Sequence, residues 1–120
     1  MKLRILDNYI RLRLNQTEVD NYMETGKVSS QSQIGLNALN YQLVKSPKHT
    51  DVIAEFVNNT ITIYVPAAVT EKWSSPDEVG FKNENQSEIK ILVEKDFQCL
   101  HKRPEEDESD SYPNPLAINN

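Results

Sequence analysis

The stretch that decides the fold is MKLRILDNYIRLRLNQTEVDNYMETGKV (residues 1–28), because its pattern returns 51 positions later as VIAEFVNNTITIYVPAAVTEKWSSPDEV (residues 52–79). Laid together without a gap, Leu3, Ile5 and Leu6 meet Ala54, Phe56 and Val57, and Ile10, Leu12 and Leu14 meet Ile61, Ile63 and Val65. Asp7-Asn8 falls on Asn58-Asn59, Tyr22 on Trp73 and Val28 on Val79. The agreement is one of apolar and turn positions rather than of identity. A repeat of this kind sets architecture before any single residue does.

Within the first copy, residues 2–6 and 9–14 read as strands joined at Asp7-Asn8, two residue types that tolerate the backbone of a tight hairpin turn. A two-residue turn pairs Ile5 with Ile10, Leu3 with Leu12 and Met1 with Leu14, which puts the apolar side chains on one face. The other face then carries Lys2 opposite Arg13 and Arg4 opposite Arg11. Asn15-Gln16-Thr17-Glu18 has the form of a capping box, so a helix is expected to about Glu24, with Val19, Tyr22 and Met23 inward and Gly26 as its left-handed stop. Residues 29–35 are Ser/Gln-rich and read as a loop, and Leu39, Tyr41 and Leu43 alternate as a further strand that ends near Lys45. In the second copy residues 53–57 and 60–65 form the corresponding hairpin. Pro66 opens a short helix, with Val69 and Trp73 on one face, and Ser75-Pro76 ends it. After a polar loop, Ile89, Ile91 and Val93 alternate as the last strand.

These elements predict an α+β protein: two ββαβ repeats related by a pseudo-twofold axis, six strands in all, closing into a small barrel-like fold. One short helix cannot cover a hairpin face, so the halves must share a core. An open antiparallel sheet with helices on one face is the alternative. Residues 1–101 form the duplicated domain, with halves of about 1–50 and 51–101. Residues 102–120 are an acidic, Pro-containing tail, with too little to bury to favour a packed structure.

The composition fits one modest core, with 38% hydrophobic residues in 120. No apolar run approaches the ~20 residues that a membrane-spanning helix needs. The start MKLRIL meets Asp7 and Asn8 at once, which does not fit a signal peptide, and a single cysteine forms no internal disulfide. A cytoplasmic protein with no membrane partner is the expectation. The net charge of −5 is unevenly spread, since residues 1–60 hold seven Lys/Arg against six Asp/Glu and residues 61–120 hold six against twelve. Wrapping of nucleic acid would want a basic domain.

Four stretches, IRLRLNQTEVDNYMETG, NNTITIYVP, ILVEKDFQCLH and RPEEDESDSYPNP, resemble a small family of uncharacterised bacterial domain proteins of unknown function. The resemblance spans most of the chain and implies a bacterial, cytoplasmic, single-domain protein. It carries no activity and no functional residue with it.

The sharpest electrostatic feature is the set Lys2, Arg4, Arg11 and Arg13. Like charges directly opposite one another on a hairpin repel by roughly 0.2–1 kcal/mol per pair, so two stacked pairs invite an anionic partner: phosphate, nucleic acid or an acidic peptide. The plainer reading is a solvated face, or cross-pairing with acids on a neighbouring strand. The acidic run Glu105, Glu106, Asp107, Glu108 and Asp110 supplies candidate counter-charges, and a position near the cationic side of the first hairpin is expected for it. Cys99 and His101 would share one side of a strand, as paired metal ligands do, but the only other histidine is His49, so no metal or other cofactor is expected. A Cys-His catalytic pair needs its base within reach of the sulfur and a donor pair for the oxyanion, which alternating residues do not easily provide, and no Gly-rich phosphate loop is present, which argues against an enzyme. Tyr22 and Trp73 are read as core aromatics. The functional expectation is a non-catalytic protein-binding or self-association module. The alternative is anion or nucleic-acid binding through the basic hairpin, and the least favoured reading is metal-dependent activity at Cys99 and His101.

Overall fold

A computed structural model describes residues 1–85, 88–97 and 110–113. Among these residues two helices and eight strands follow one another as β1 (Lys2–Leu6), β2 (Tyr9–Leu14), α1 (Gln16–Thr25), β3 (Lys27–Ile34), β4 (Asn37–Lys45), β5 (Ile53–Val57), β6 (Thr60–Val65), α2 (Ala67–Trp73), β7 (Gly80–Lys82) and β8 (Lys90–Lys95). The α+β class expected from the sequence holds. The barrel does not, because no sheet closes: the strands lie in two open four-stranded sheets, ordered β1-β2-β8-β7 and β3-β4-β6-β5. Nor is the alternative, a single antiparallel sheet, what forms, since the central pairs β2/β8 and β4/β6 are parallel.

The physical reason is the number of strands. Residues 29–35, expected as a loop, mostly belong to β3, which pairs with β4 along its whole length from Lys27↔Val44 to Ile34↔Asn37. Likewise β7 emerges from the expected polar loop and pairs Phe81 with Val93. Both are edge strands, and the polar Ser/Gln side chains of β3 blunt its free edge without closure. Apolar burial is completed by stacking the two inner faces and both helices about one core. That core contains Leu12, Leu14, Tyr22, Leu43, Ile63 and Trp73.

Local chemistry explains the elements that position the site. Asp7, Asn58 and Asn59 have φ of 49°, 53° and 58°, the backbone that the two tight hairpin turns demand. The hairpin registers are the expected ones, Ile5↔Ile10 and Phe56↔Ile61. Asn15 accepts a hydrogen bond from the Glu18 amide at 2.9 Å while Glu18 accepts from the Asn15 amide at 3.0 Å, and Gly26 at φ 80° ends α1. The Tyr22 hydroxyl meets Thr70 Oγ1 at 2.7 Å, and the Tyr22 and Trp73 rings pack edge to face at 6.1 Å, tying α1 to α2.

The two sheets are joined alike. The Lys90 amide donates to the Asn8 carbonyl at 2.8 Å and the Asn40 amide to the Asn59 carbonyl at 2.9 Å. At the other end of each parallel pair, Asp96 N donates to Leu14 O and Ser46 N to Val65 O, both at 2.8 Å. Each sheet thus takes one hairpin from residues 1–45 and one from residues 53–95.

Candidate functional site

Strand alternation and register build a cationic surface on the outer face of the first sheet. In β2, Ile10, Leu12 and Leu14 are buried, so Tyr9, Arg11 and Arg13 point outward. The same alternation turns Lys2 and Arg4 outward from β1, Lys90, Leu92 and Glu94 from β8, and Lys82 from β7. Register aligns them in rows across the sheet: Lys2, Arg13, Glu94 and Gly80; then Arg4, Arg11, Leu92 and Lys82; then Leu6, Tyr9 and Lys90. The four cations found in the sequence therefore share their face with Lys82 and Lys90, which come from the far half of the chain.

Acids answer the cations at one end of this face. Glu94 accepts from Arg11 Nε at 2.7 Å, pairs with Arg11 Nη2 and lies 3.2 Å from Arg13 Nε. That Arg13 nitrogen is buried and is not aligned for a hydrogen bond, so the contact is an ion pair only. Asp96, just beyond β8, sits 2.9 Å from Lys2 Nζ and 3.5 Å from Arg13 Nη2. Cross-pairing with a neighbouring strand thus relieves Lys2, Arg11 and Arg13. Arg4, Lys82 and Lys90 make no ion pair among the described residues, and all three are exposed.

Of the acidic run, Asp110 alone lies within the described residues. Its carbonyl accepts from Gln16 N at 3.0 Å and its carboxylate from Thr17 N at 3.3 Å, so it meets the free amides that open α1. It lines, with Lys2, Arg13, Glu18 and Asp96, a cavity of about 150 Å³. Asp110 is therefore beside the cationic hairpin, but its own bonds go to the helix start. Tyr112 anchors the same segment: its amide donates to Asp96 O at 2.7 Å, its ring packs on Phe97 at 5.7 Å, and Lys95 Nζ lies 5.7 Å above that ring. Burial pushes the Tyr112 phenol up to about 12 and lowers Lys95. Glu105, Glu106, Asp107 and Glu108 lie outside the described residues, as do Cys99 and His101. No group of three or more metal-ligating side chains occurs among the described residues, and no described helix is long and apolar enough to cross a membrane.

The second surface feature is apolar. Between the sheets, at the end where the hairpins turn, Ile5, Ile10, Leu39, Phe56, Ile61 and Ile89 line an open groove of about 370 Å³. Its floor is buried, with Ile10 and Ile61 at 5% and 7% exposure, while Ile5 and Phe56 on its walls are 52% and 66% exposed. Glu55 also borders the groove, but strand alternation turns its side chain to the outer face of the second sheet, beside Tyr64, whose pKa the Glu55 carboxylate raises. Ser46 Oγ and His49 Nδ1 lie 2.6 Å apart, but within one tight turn in which His49 N also donates to Ser46 O. That contact locks the turn.

Sequence reasoning missed Lys82 and Lys90. The alternation of Ile91 and Val93 did mark Lys90 and Glu94 as outward, yet nothing local indicated that β8 lies beside β2. The chain belongs to a family of unknown function, DUF7009, whose model matches residues 1–116. No curated protein and no solved structure matches it.

Proposed function

We propose that this chain is a non-catalytic binding module that holds an acidic segment of a partner protein on the outer face of its first sheet. The observation that carries the reading is the set Arg4, Lys82 and Lys90: exposed, without ion pairs among the described residues, and surrounding Leu6, Tyr9 and Leu92. Cations interleaved with apolar side chains suit a peptide that offers both carboxylates and aliphatic groups. Glu94 and Asp96 fix the neighbouring arginines and bound the surface at one end, which favours a short acidic segment over a long polyanion.

The finer architecture supports the same reading. Strands recur at an offset of 51, from β1/β2 to β5/β6, and the parallel pairings recur with matched hydrogen bonds, which is what duplication of a ββαββ unit produces. The outer face of the second sheet lacks the charge pattern of the first, with Ile53 opposite Tyr64 and Glu55 opposite Thr62. Two copies that diverge at the same surface divide their roles, one structural and one binding.

The test is fluorescence anisotropy with a labelled Glu-rich peptide and an oligonucleotide of equal charge, in a salt series. Peptide binding that weakens with salt and is lost in the Arg4→Glu/Lys82→Glu/Lys90→Glu variant supports the proposal. Tighter binding of the oligonucleotide, with a steep salt slope, replaces the peptide by nucleic acid. Binding of neither ligand removes the proposal.

A further inference from the structure

The β3-β4 hairpin extends past the rest of its sheet. The first β4 residue paired with β6 is Asn40, so Asn37, Ala38 and Leu39, together with the turn before them, overhang by about 10 Å at ~3.3 Å per residue. The overhang lies at the end where the apolar groove opens, since Leu39 belongs to both. Its inner face carries Ile34 and Leu39 beside Ser32 and Asn37: Ile34 pairs with Asn37 two positions beyond Ser32↔Leu39, and so points the same way as Leu39, Tyr41 and Leu43. Among the described residues nothing covers it, with Ile34 61% and Leu36 100% exposed. Gly35, at φ 60° and in open space among the described residues, makes the turn that presents the two side chains.

We infer that a second copy of this chain is the occupant of the groove, with the Ile34-Gly35-Leu36 tip of each copy seated between Ile5 and Phe56 of the other. The knob and the hollow are both apolar, both uncovered among the described residues and at the same end, so two copies placed mouth to mouth about a twofold axis fill both grooves at once and close the assembly. The size agrees. Taking about 150 Å² for a large apolar side chain, Ile5, Ile34, Leu36 and Phe56 together expose about 400 Å². A standard interface buries about 800 Å² per partner, of which about 60% is apolar, or ~480 Å². No cation lines the groove among the described residues, so it offers no anchor for a lipid headgroup or a nucleotide phosphate, and a hydrocarbon tip asks for none. This surface is separate from the basic face, and its use does not depend on that face binding anything.

Sedimentation equilibrium of the full chain, followed from low micromolar to roughly 100 μM, reads the result directly. The wild type is expected to reach dimer mass, and Leu36→Asp and Phe56→Asp are each expected to remain monomeric over the same range. Both positions are exposed, and an amide correlation spectrum confirms that each variant is folded; Ile34→Ser serves as a second tip variant. Mixing Leu36→Asp with Phe56→Asp restores one intact tip-in-groove contact per pair, so a mixed dimer should return with weaker affinity than the wild type. Salt should leave the dimer in place while it weakens binding of an acidic peptide, which separates this surface from the basic one. A wild type that stays monomeric throughout, or a dimer that Leu36→Asp leaves intact, overturns the inference.

Discussion

Replacing Glu94 with Gln tests how the basic face is held together, because Glu94 is the acid embedded among the cations. Its carboxylate takes two nitrogens of Arg11 and lies 3.2 Å from Arg13 Nε, with Glu94 15% exposed and the arginines 29% and 32%. Removing one partner of a fully buried pair costs about 3–5 kcal/mol, and an exposed pair contributes at most about 1. A charge-assisted hydrogen bond is worth about 1.5–3 kcal/mol. The partial burial places Glu94→Gln between these limits, at about 2 kcal/mol, which lowers the melting temperature by roughly 10 °C for a domain of this size. Urea denaturation gives the stability, and a cycle with Arg11→Gln should return a coupling of about 1 kcal/mol or more between the two positions. The same change removes a negative charge from the binding face, so affinity for an acidic peptide should rise several-fold as stability falls. A variant with stability within 0.5 kcal/mol of wild type would refute the reasoning. So would a folded variant with unchanged peptide affinity.

Two smaller predictions rest on the helices. Asn15→Ala removes one arm of the capping box and should cost about 0.5–2 kcal/mol in chemical denaturation, with Asn15→Asp close to neutral. Tyr22→Phe leaves the buried Thr70 hydroxyl without its partner and should cost about 1–3 kcal/mol, part of which Thr70→Val recovers in the double variant. Burial raises Tyr22 from 10.0 to about 12, so its protonated form favours the folded state; that contribution is whole below pH 10 and is lost as pH rises towards 12. The alkaline unfolding limb of Tyr22→Phe should accordingly be shallower than that of the wild type, read by circular dichroism between pH 9 and 12.

Legibility in the sequence followed the range of the interaction. The hairpins, the capping box and the Gly26 stop depend on residues within a few positions of one another, and the sequence carries each in full. Strand β3 was illegible because the face it turns to the core carries Ser30 and Ser32, while the alternating apolar side chains of that ribbon, Leu39, Tyr41 and Leu43, sit on its partner. A strand whose partner supplies the burial has no period of its own to read. The expected barrel rests on six strands, whereas eight are present among the described residues. The two added edge strands let stacked open sheets do what closure would have done. The candidate face was half legible for the same reason: Lys2, Arg4, Arg11 and Arg13 are local to one hairpin, whereas Lys82 and Lys90 reach it only through a parallel pairing that spans about 80 residues.

That long-range pairing also decides what each half can do alone. The central ladder of each sheet, six residue pairs between β2 and β8 and six between β4 and β6, joins residues 1–45 to residues 53–95. Cut near residue 50, each fragment keeps two hairpins and one helix but loses both central pairings and half of the core. An isolated hairpin is marginal in water at best, so neither fragment should fold as a monomer. Mixed in equal amounts, residues 1–49 and 50–120 should regain the dispersed amide spectrum of the intact chain, because the complementary edges and the Tyr22-Thr70 contact are all present across the break. If residues 1–49 alone form a dimer, the first unit substitutes for the second in both ladders, which would support the proposed duplication. A folded, monomeric first half would show instead that the hairpin and helix bury enough between themselves, and the argument from shared sheets would fall.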